Sequence, residues 1–131
     1  MPSGGRGGRK LALEALYEHD VGGRPVAEIL ERHPTGPARS YAERLVTGLG
    51  EHGAEIDTLI AAVAEDWTLE RMAPIDRNAL RIGCLELLYL AVAAPIAINE
   101  AVELAKQYST ADSGRFVNGI LSRIDRDRAA V

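Results

Sequence analysis

An all-α fold, two packed three-helix units forming one compact helical domain, is what this sequence predicts, on three observations. Apolar residues recur at helical spacing in segment after segment. No period-two alternation bounded by turn signals occurs, so strand content should be near zero. The chain of 131 residues is long enough to bury about two-thirds of its unfolded surface, so it needs neither a disulfide nor a metal to hold a core.

Each element follows from its own residues. The leading MPSGGRGG is too glycine-rich for a stable free helix, so residues 1–8 read as a flexible basic leader with order beginning near Arg9. Ala12, Ala15, Leu16 and His19 then give one side of a first helix that stops near Gly22 and Gly23. Pro25 suits the first turn of a short second helix with Val26, Ile29 and Leu30 inward. A third helix, about 38–64, carries Tyr41, Leu45, Leu49, Ile56, Leu59, Ile60 and Val63. Gly48, Gly50 and Gly53 in its middle predict a bend, an interruption or a close approach of another helix.

Residues 65–74 form a connector between halves at about 9–64 and 75–128, with Trp67 and Leu69 plugging it onto the core. Asp76 is placed to cap a fourth helix bearing Leu80, Gly83, Cys84, Leu87, Leu88 and Ala91. Ala93-Ala94-Pro95 ends it. Ile98, Ala101, Val102, Ala105 and Tyr108 mark a fifth helix, a polar turn at 109–114 follows, and Phe116, Val117, Ile120, Leu121 and Ile124 restart the period in a sixth.

Charge and chemistry narrow the function. Fifteen basic against nineteen acidic residues leave a net charge of −4, which argues against a general nucleic-acid coat. Residues 1–13 nonetheless carry +3 from Arg6, Arg9 and Lys10, so the remainder carries −7: a basic tip on an acidic body, suited to an anion at one end and a basic protein elsewhere. The glycine-rich start lacks the Gly-Lys-Ser/Thr ending and the preceding strand of a phosphate loop.

His19, His33 and His52 lie far apart with no metal-ligand spacing, and the single Cys84 sits in an apolar stretch as a buried thiol suited to a reducing compartment. No catalysis, metal or cofactor is expected. The longest apolar run, Leu87 to Ile98, is too short to span a membrane, and no secretory signal pattern opens the chain, so a cytoplasmic protein is expected.

The most specific stretch is Ile98-Asn99-Glu100-Ala101-Val102-Glu103-Leu104-Ala105-Lys106 followed by Phe116-Val117-Asn118-Gly119-Ile120-Leu121. With Ala15-Leu16-Tyr17, Ile56-Asp57, Trp67-Thr68-Leu69-Glu70-Arg71 and Ile75-Asp76-Arg77-Asn78-Ala79-Leu80-Arg81-Ile82, it resembles the NusB family of bacterial transcription antitermination factors over about residues 9–124. The resemblance implies the same helical architecture and a non-catalytic adaptor. Such an adaptor binds single-stranded boxA RNA with the ribosomal protein NusE, within an elongation complex holding other Nus factors, notably during ribosomal RNA synthesis.

Carried over by position, Arg6, Arg9 and Lys10 are the basic RNA contacts, and Lys106, Gln107, Asp112, Ser113 and Phe116 join them from the last hairpin. Were the first helix to extend backward, Arg6, Lys10, Leu13 and Tyr17 would share one face, with Tyr17 either stacking on a base or packing into the core. Phe116 has the same two alternatives. Three phosphate contacts would give a log-log salt slope of about −2. The partner face implied for NusE comprises Glu65, Asp66, Glu70, Asp76 and Arg77. Asn99, Asn118 and Gly119 read as structural, the glycine permitting close helix contact. Two other readings remain: a helical protein-interaction module without RNA binding, and a relative of the N-terminal domain of rRNA cytosine methyltransferases.

Overall fold

The computed structural model describes residues 4–65 and 67–129. Six α-helices and one 3-10 turn account for its regular structure, and no strand occurs among the described residues. They are α1 (Gly5–Gly22), α2 (Val26–Glu31), α3 (Pro37–Ala64), the turn Leu69–Arg71, α4 (Pro74–Tyr89), α5 (Ala94–Tyr108) and α6 (Ala111–Ala129). The chain divides into two compact units, one ending at Glu51 and the other beginning at His52. That division falls inside α3, beside its glycines, rather than at the 65–74 connector. α3 itself runs uninterrupted for 28 residues, and a Cβ on Gly50 or Gly53 would meet open space, so neither marks a close helix approach.

In the first unit α1 begins at Gly5, ahead of the expected start near Arg9. Glycine-rich helix is weak on its own, and tertiary contact supplies what propensity lacks. A Cβ on Gly8 would lie 2.7 Å from Tyr41 Cβ, and one on Gly4 would lie 2.5 Å from the Pro37 carbonyl carbon. The start of α1 therefore lies against the first turn of α3 at a separation only glycine allows. Leu11, Ala12, Leu13 and Ala15 of α1, Ile29 and Leu30 of α2, and Tyr41, Ala42 and Leu45 of α3 are buried. Gly23, at φ +76°, ends α1 in the left-handed conformation with its N–H donating to the His19 carbonyl at 2.8 Å.

In the second unit α4, α5 and α6 pack mutually. The tight approaches occur at Gly83, where a Cβ would come within 2.6 Å of Leu121 Cδ1 and 3.0 Å of Ala101 Cβ, and at Gly114, where it would come within 2.6 Å of Lys106 Cγ. Gly119, expected to play this part, has open space around it. Arg81 of α4 grips Asp57 of α3 with two hydrogen bonds of 2.9 Å, and Arg128 of α6 donates to the Leu87 carbonyl at 2.6 Å near the end of α4. α4 starts at Pro74, two residues before Asp76, so Asp76 is its third residue and not its cap; Ala73 holds that place without a side-chain bond. Ala94 and Pro95, expected to end the fourth helix, instead open α5.

Candidate RNA and protein interface

Two sets of candidate residues lie in the two units, and each has its own geometry. On α1, Arg6 and Lys10 are exposed and four residues apart, hence on one helical face. Tyr17 is 41 % exposed, so its ring is not spent on the core, whereas Leu13, expected on the same face, is fully buried. Arg9 departs from the expected phosphate contact: it is 1 % exposed, with its guanidinium carbon 5.6 Å from the centroid of the Tyr41 ring. A cation held in that way is a packing element. The outward basic edge of α1 is therefore Arg6 and Lys10.

In the second unit, an open cavity of about 310 Å³ is lined by Trp67, Arg71, Met72, Ala73, Asp76, Thr110, Asp112, Ser113 and Phe116. It brings together Asp76, expected on the protein-partner face, with Asp112, Ser113 and Phe116, expected on the RNA face. Thr110 caps α6, its hydroxyl accepting the Ser113 N–H at 3.1 Å. That cap aims the Ser113 hydroxyl, which is buried, at Asp76 Oδ2 (3.1 Å), with the Ser109 hydroxyl 2.9 Å behind it. The other oxygen, Asp76 Oδ1, is buried with no hydrogen-bond partner among the described residues. Burial pushes the Asp76 pKa above its ordinary value of 3.8, and the Ser113 hydrogen bond partly offsets that rise. Asp112 is exposed and paired with Arg115.

The aromatic side of this cavity is Trp67 and half-buried Phe116, whose rings meet edge-to-face at 6.4 Å between centroids. Trp67 is 51 % exposed and does not plug the connector onto the core; Leu69 and Met72 fill that role. Sequence reasoning did not place Trp67, Arg71 or Thr110 in this site. The one available signal was a tryptophan outside any helical period, flanked by polar residues.

Of the remaining candidates, Lys106 and Gln107 are exposed, and Lys106 lies 3.6 Å from Glu103 with its aliphatic stem against Gly114. Glu65 and Glu70 are exposed. Arg77 is half-buried and donates to the Leu69 carbonyl at 3.1 Å, which ties the 3-10 turn to α4. Asp66 lies outside the described residues. Cys84 is fully buried, and burial, with the Asp57 charge, pushes its thiol up to about 12. No group of three or more His, Cys, Asp or Glu is arranged to hold a metal among the described residues, and no helix there is long and apolar enough to cross a membrane.

Comparison with known proteins agrees in sequence and in fold. A family model for the NusB family matches residues 6–126. The transcription antitermination protein NusB of Salinispora arenicola is 48 % identical over 126 residues, covering 91 % of this chain and 93 % of that protein. The protein of the same name from Thermobifida fusca is 47 % identical over 120 residues, 88 % and 84 % of the two chains. Among solved structures, T. maritima NusB superposes with a TM-score of 0.88 at 36 % identity over 97 % of this chain and 94 % of that one. A chain from the crystal structure of antitermination factors NusB and NusE in complex with dsRNA gives 0.82 at 31 % identity over 93 % and 96 %. Similarity that spans nearly the whole chain, in sequence and in three dimensions alike, places this protein in the NusB family.

Proposed function

We propose that this protein is a transcription antitermination factor of the cytoplasm, a non-enzymatic adaptor. With NusE it captures boxA RNA for the elongation complex and other Nus factors, notably in ribosomal RNA synthesis. The observation that carries this is the match, over 93 % of the chain, to a chain from the structure of NusB and NusE in complex with dsRNA. The exposed Arg6 and Lys10 support a phosphate-binding edge on α1, with Tyr17 beside it as a ring open to stacking. Lys106, Gln107, Asp112, Ser113 and Phe116 remain the hairpin candidates. Glu65, Asp66, Glu70, Asp76 and Arg77 remain those for the basic partner, with Asp76 now beside the RNA candidates and Arg77 engaged in holding the turn.

The test is a titration of fluorescein-labelled single-stranded boxA RNA with the protein, alone and with cognate NusE, at several salt concentrations. NusE should tighten binding. The two exposed cations of the α1 edge by themselves predict a log-log slope of about −1.4, a sevenfold loss of affinity from about 50 to 200 mM salt. The burial of Arg9 leaves so few outward cations that a helical interaction module is the alternative. It predicts NusE binding that RNA does not strengthen.

A further inference from the structure

We propose that Gly4, Gly8, Arg9 and Tyr41 form a positioning device that holds Arg6 and Lys10 on a preformed helix. Single-stranded RNA would then meet a finished phosphate-binding edge instead of a leader that orders on contact. This rests on the RNA-binding reading above and concerns how its basic edge is built.

Glycines at 4, 5, 7 and 8 make this segment a poor helix in isolation. Two opposite uses of such residues are possible: looseness, or room for a close neighbour. The geometry selects room. A Cβ on Gly8 would lie 2.7 Å from Tyr41 Cβ, 2.8 Å from Tyr41 Cδ2 and 3.0 Å from the Ala38 carbonyl oxygen, and one on Gly4 would strike the Pro37 backbone.

Gly4 is at φ +84°, which suits glycine and lets the chain enter the helix, and its carbonyl accepts the Gly8 N–H at 2.6 Å. Tyr41, buried to 5 % exposure, is the shared anchor, touching Gly8 through its Cβ side and Arg9 through its ring. Arg9 thus stakes the helix down from one side while Arg6 and Lys10 stay exposed on another. Preorganisation of this kind removes an ordering cost from binding.

Gly8→Ala separates the two uses by sign. Alanine is the better helix former, so in a loose leader the change leaves RNA affinity unchanged or raises it. In a packed device the new methyl collides with Tyr41 and lifts the first turns of α1. We expect RNA affinity to fall about tenfold, the equivalent of having to re-fix a single residue's backbone on binding, with a shallower salt slope. Gly22→Ala, where a Cβ meets open space in the same helix, is the control and should bind like wild type.

The assay uses the full chain with cognate NusE and fluorescein-labelled single-stranded boxA RNA, alongside Arg6→Ala/Lys10→Ala. Hydrogen exchange on the free wild-type protein supplies a measurement that does not depend on the variant folding. The Gly8 and Lys10 amides should already be protected, and RNA should add little. Unprotected amides that become protected with RNA overturn the proposal. So does a Gly8→Ala variant that binds as well as wild type while Arg6→Ala/Lys10→Ala binds weakly. If Arg6→Ala/Lys10→Ala itself binds as well as wild type, the RNA-binding reading of this edge fails, and the positioning role falls with it.

Discussion

Arg9 and Lys10 are adjacent cations that should behave in opposite ways. Arg9 is 1 % exposed and stacked over Tyr41; Lys10 faces solvent. Replacing Arg9 by Met keeps much of the aliphatic volume but removes a desolvated cation–π contact with Tyr41, a loss of about 2 kcal/mol. For a chain of this size that lowers Tm by about 6–8 °C. Lys10→Ala removes no packing, so its Tm should stay within about 2 °C of wild type. The RNA salt titration should report the reverse. Lys10→Ala should shallow the log-log slope by about 0.7, cutting the loss between about 50 and 200 mM salt from sevenfold to threefold. Methionine still fills the buried Arg9 site and so keeps the start of α1 seated, and Arg9→Met, measured well below its Tm, should leave the slope near −1.4. If Arg9→Met shallows the slope as much as Lys10→Ala while leaving Tm unchanged, Arg9 contacts phosphate after all and the assignment by burial is refuted.

Asp76→Asn should raise stability at pH 7. Burial lifts the folded-state pKa above 3.8, so the native state holds this proton more tightly than the unfolded chain, and stability is lost as pH rises through the folded value. The gain, below about 1 kcal/mol after solvent screening, should fade as pH falls toward 4. A variant less stable than wild type at pH 7 would show that Asp76 stabilises as a carboxylate. Cys84, with its thiol pushed up to about 12 and no exposed surface, should resist alkylation by iodoacetamide at pH 8 until the protein is denatured. Labelling of the native protein at the rate of free cysteine would refute that.

Helix number and order were legible because periodicity reports burial directly; what periodicity leaves out is which partner each side chain finds. Arg9 lies beside Arg6 and Lys10 on a helical projection, and only the placement of Tyr41 turns it inward. Asp76 has the chemistry of a cap, yet Pro74 is the better first residue of the helix, and starting there moves Asp76 two places inward to face Ser113. Trp67 is apolar enough to be expected inside, but its neighbours Leu69 and Met72 take the interior and leave the indole on the cavity rim. Gly119 and Gly83 are alike in sequence; Leu121 and Ala101 crowd only Gly83. Asn99 and Asn118, both in the stretch that carries the family resemblance, are exposed, so the resemblance does not rest on core residues alone. The segments Ile56-Asp57 and Ala79-Leu80-Arg81-Ile82, by contrast, hold the second unit together through the Arg81–Asp57 pair and their buried apolar residues.

A chain with net charge −4 can bind RNA if its contacts are of two kinds, because salt screens one and hardly touches the other. The α1 edge offers cations for phosphate. The cavity of the second unit offers carboxylates at Asp76 and Asp112, which repel phosphate but accept N–H groups, and the open indole of Trp67, which stacks without regard to charge. If a base occupies that cavity, Trp67→Ala should weaken RNA binding about tenfold, in line with a single lost stacking contact. The weakening should be the same factor at low and high salt, a downward shift of the log-log line with its slope intact. Because Trp67 is half exposed, Tm should move by no more than about 3 °C. A changed slope would mean that the tryptophan acts by placing cations. An unchanged affinity for RNA, combined with weaker binding of NusE, would assign the cavity to the protein partner.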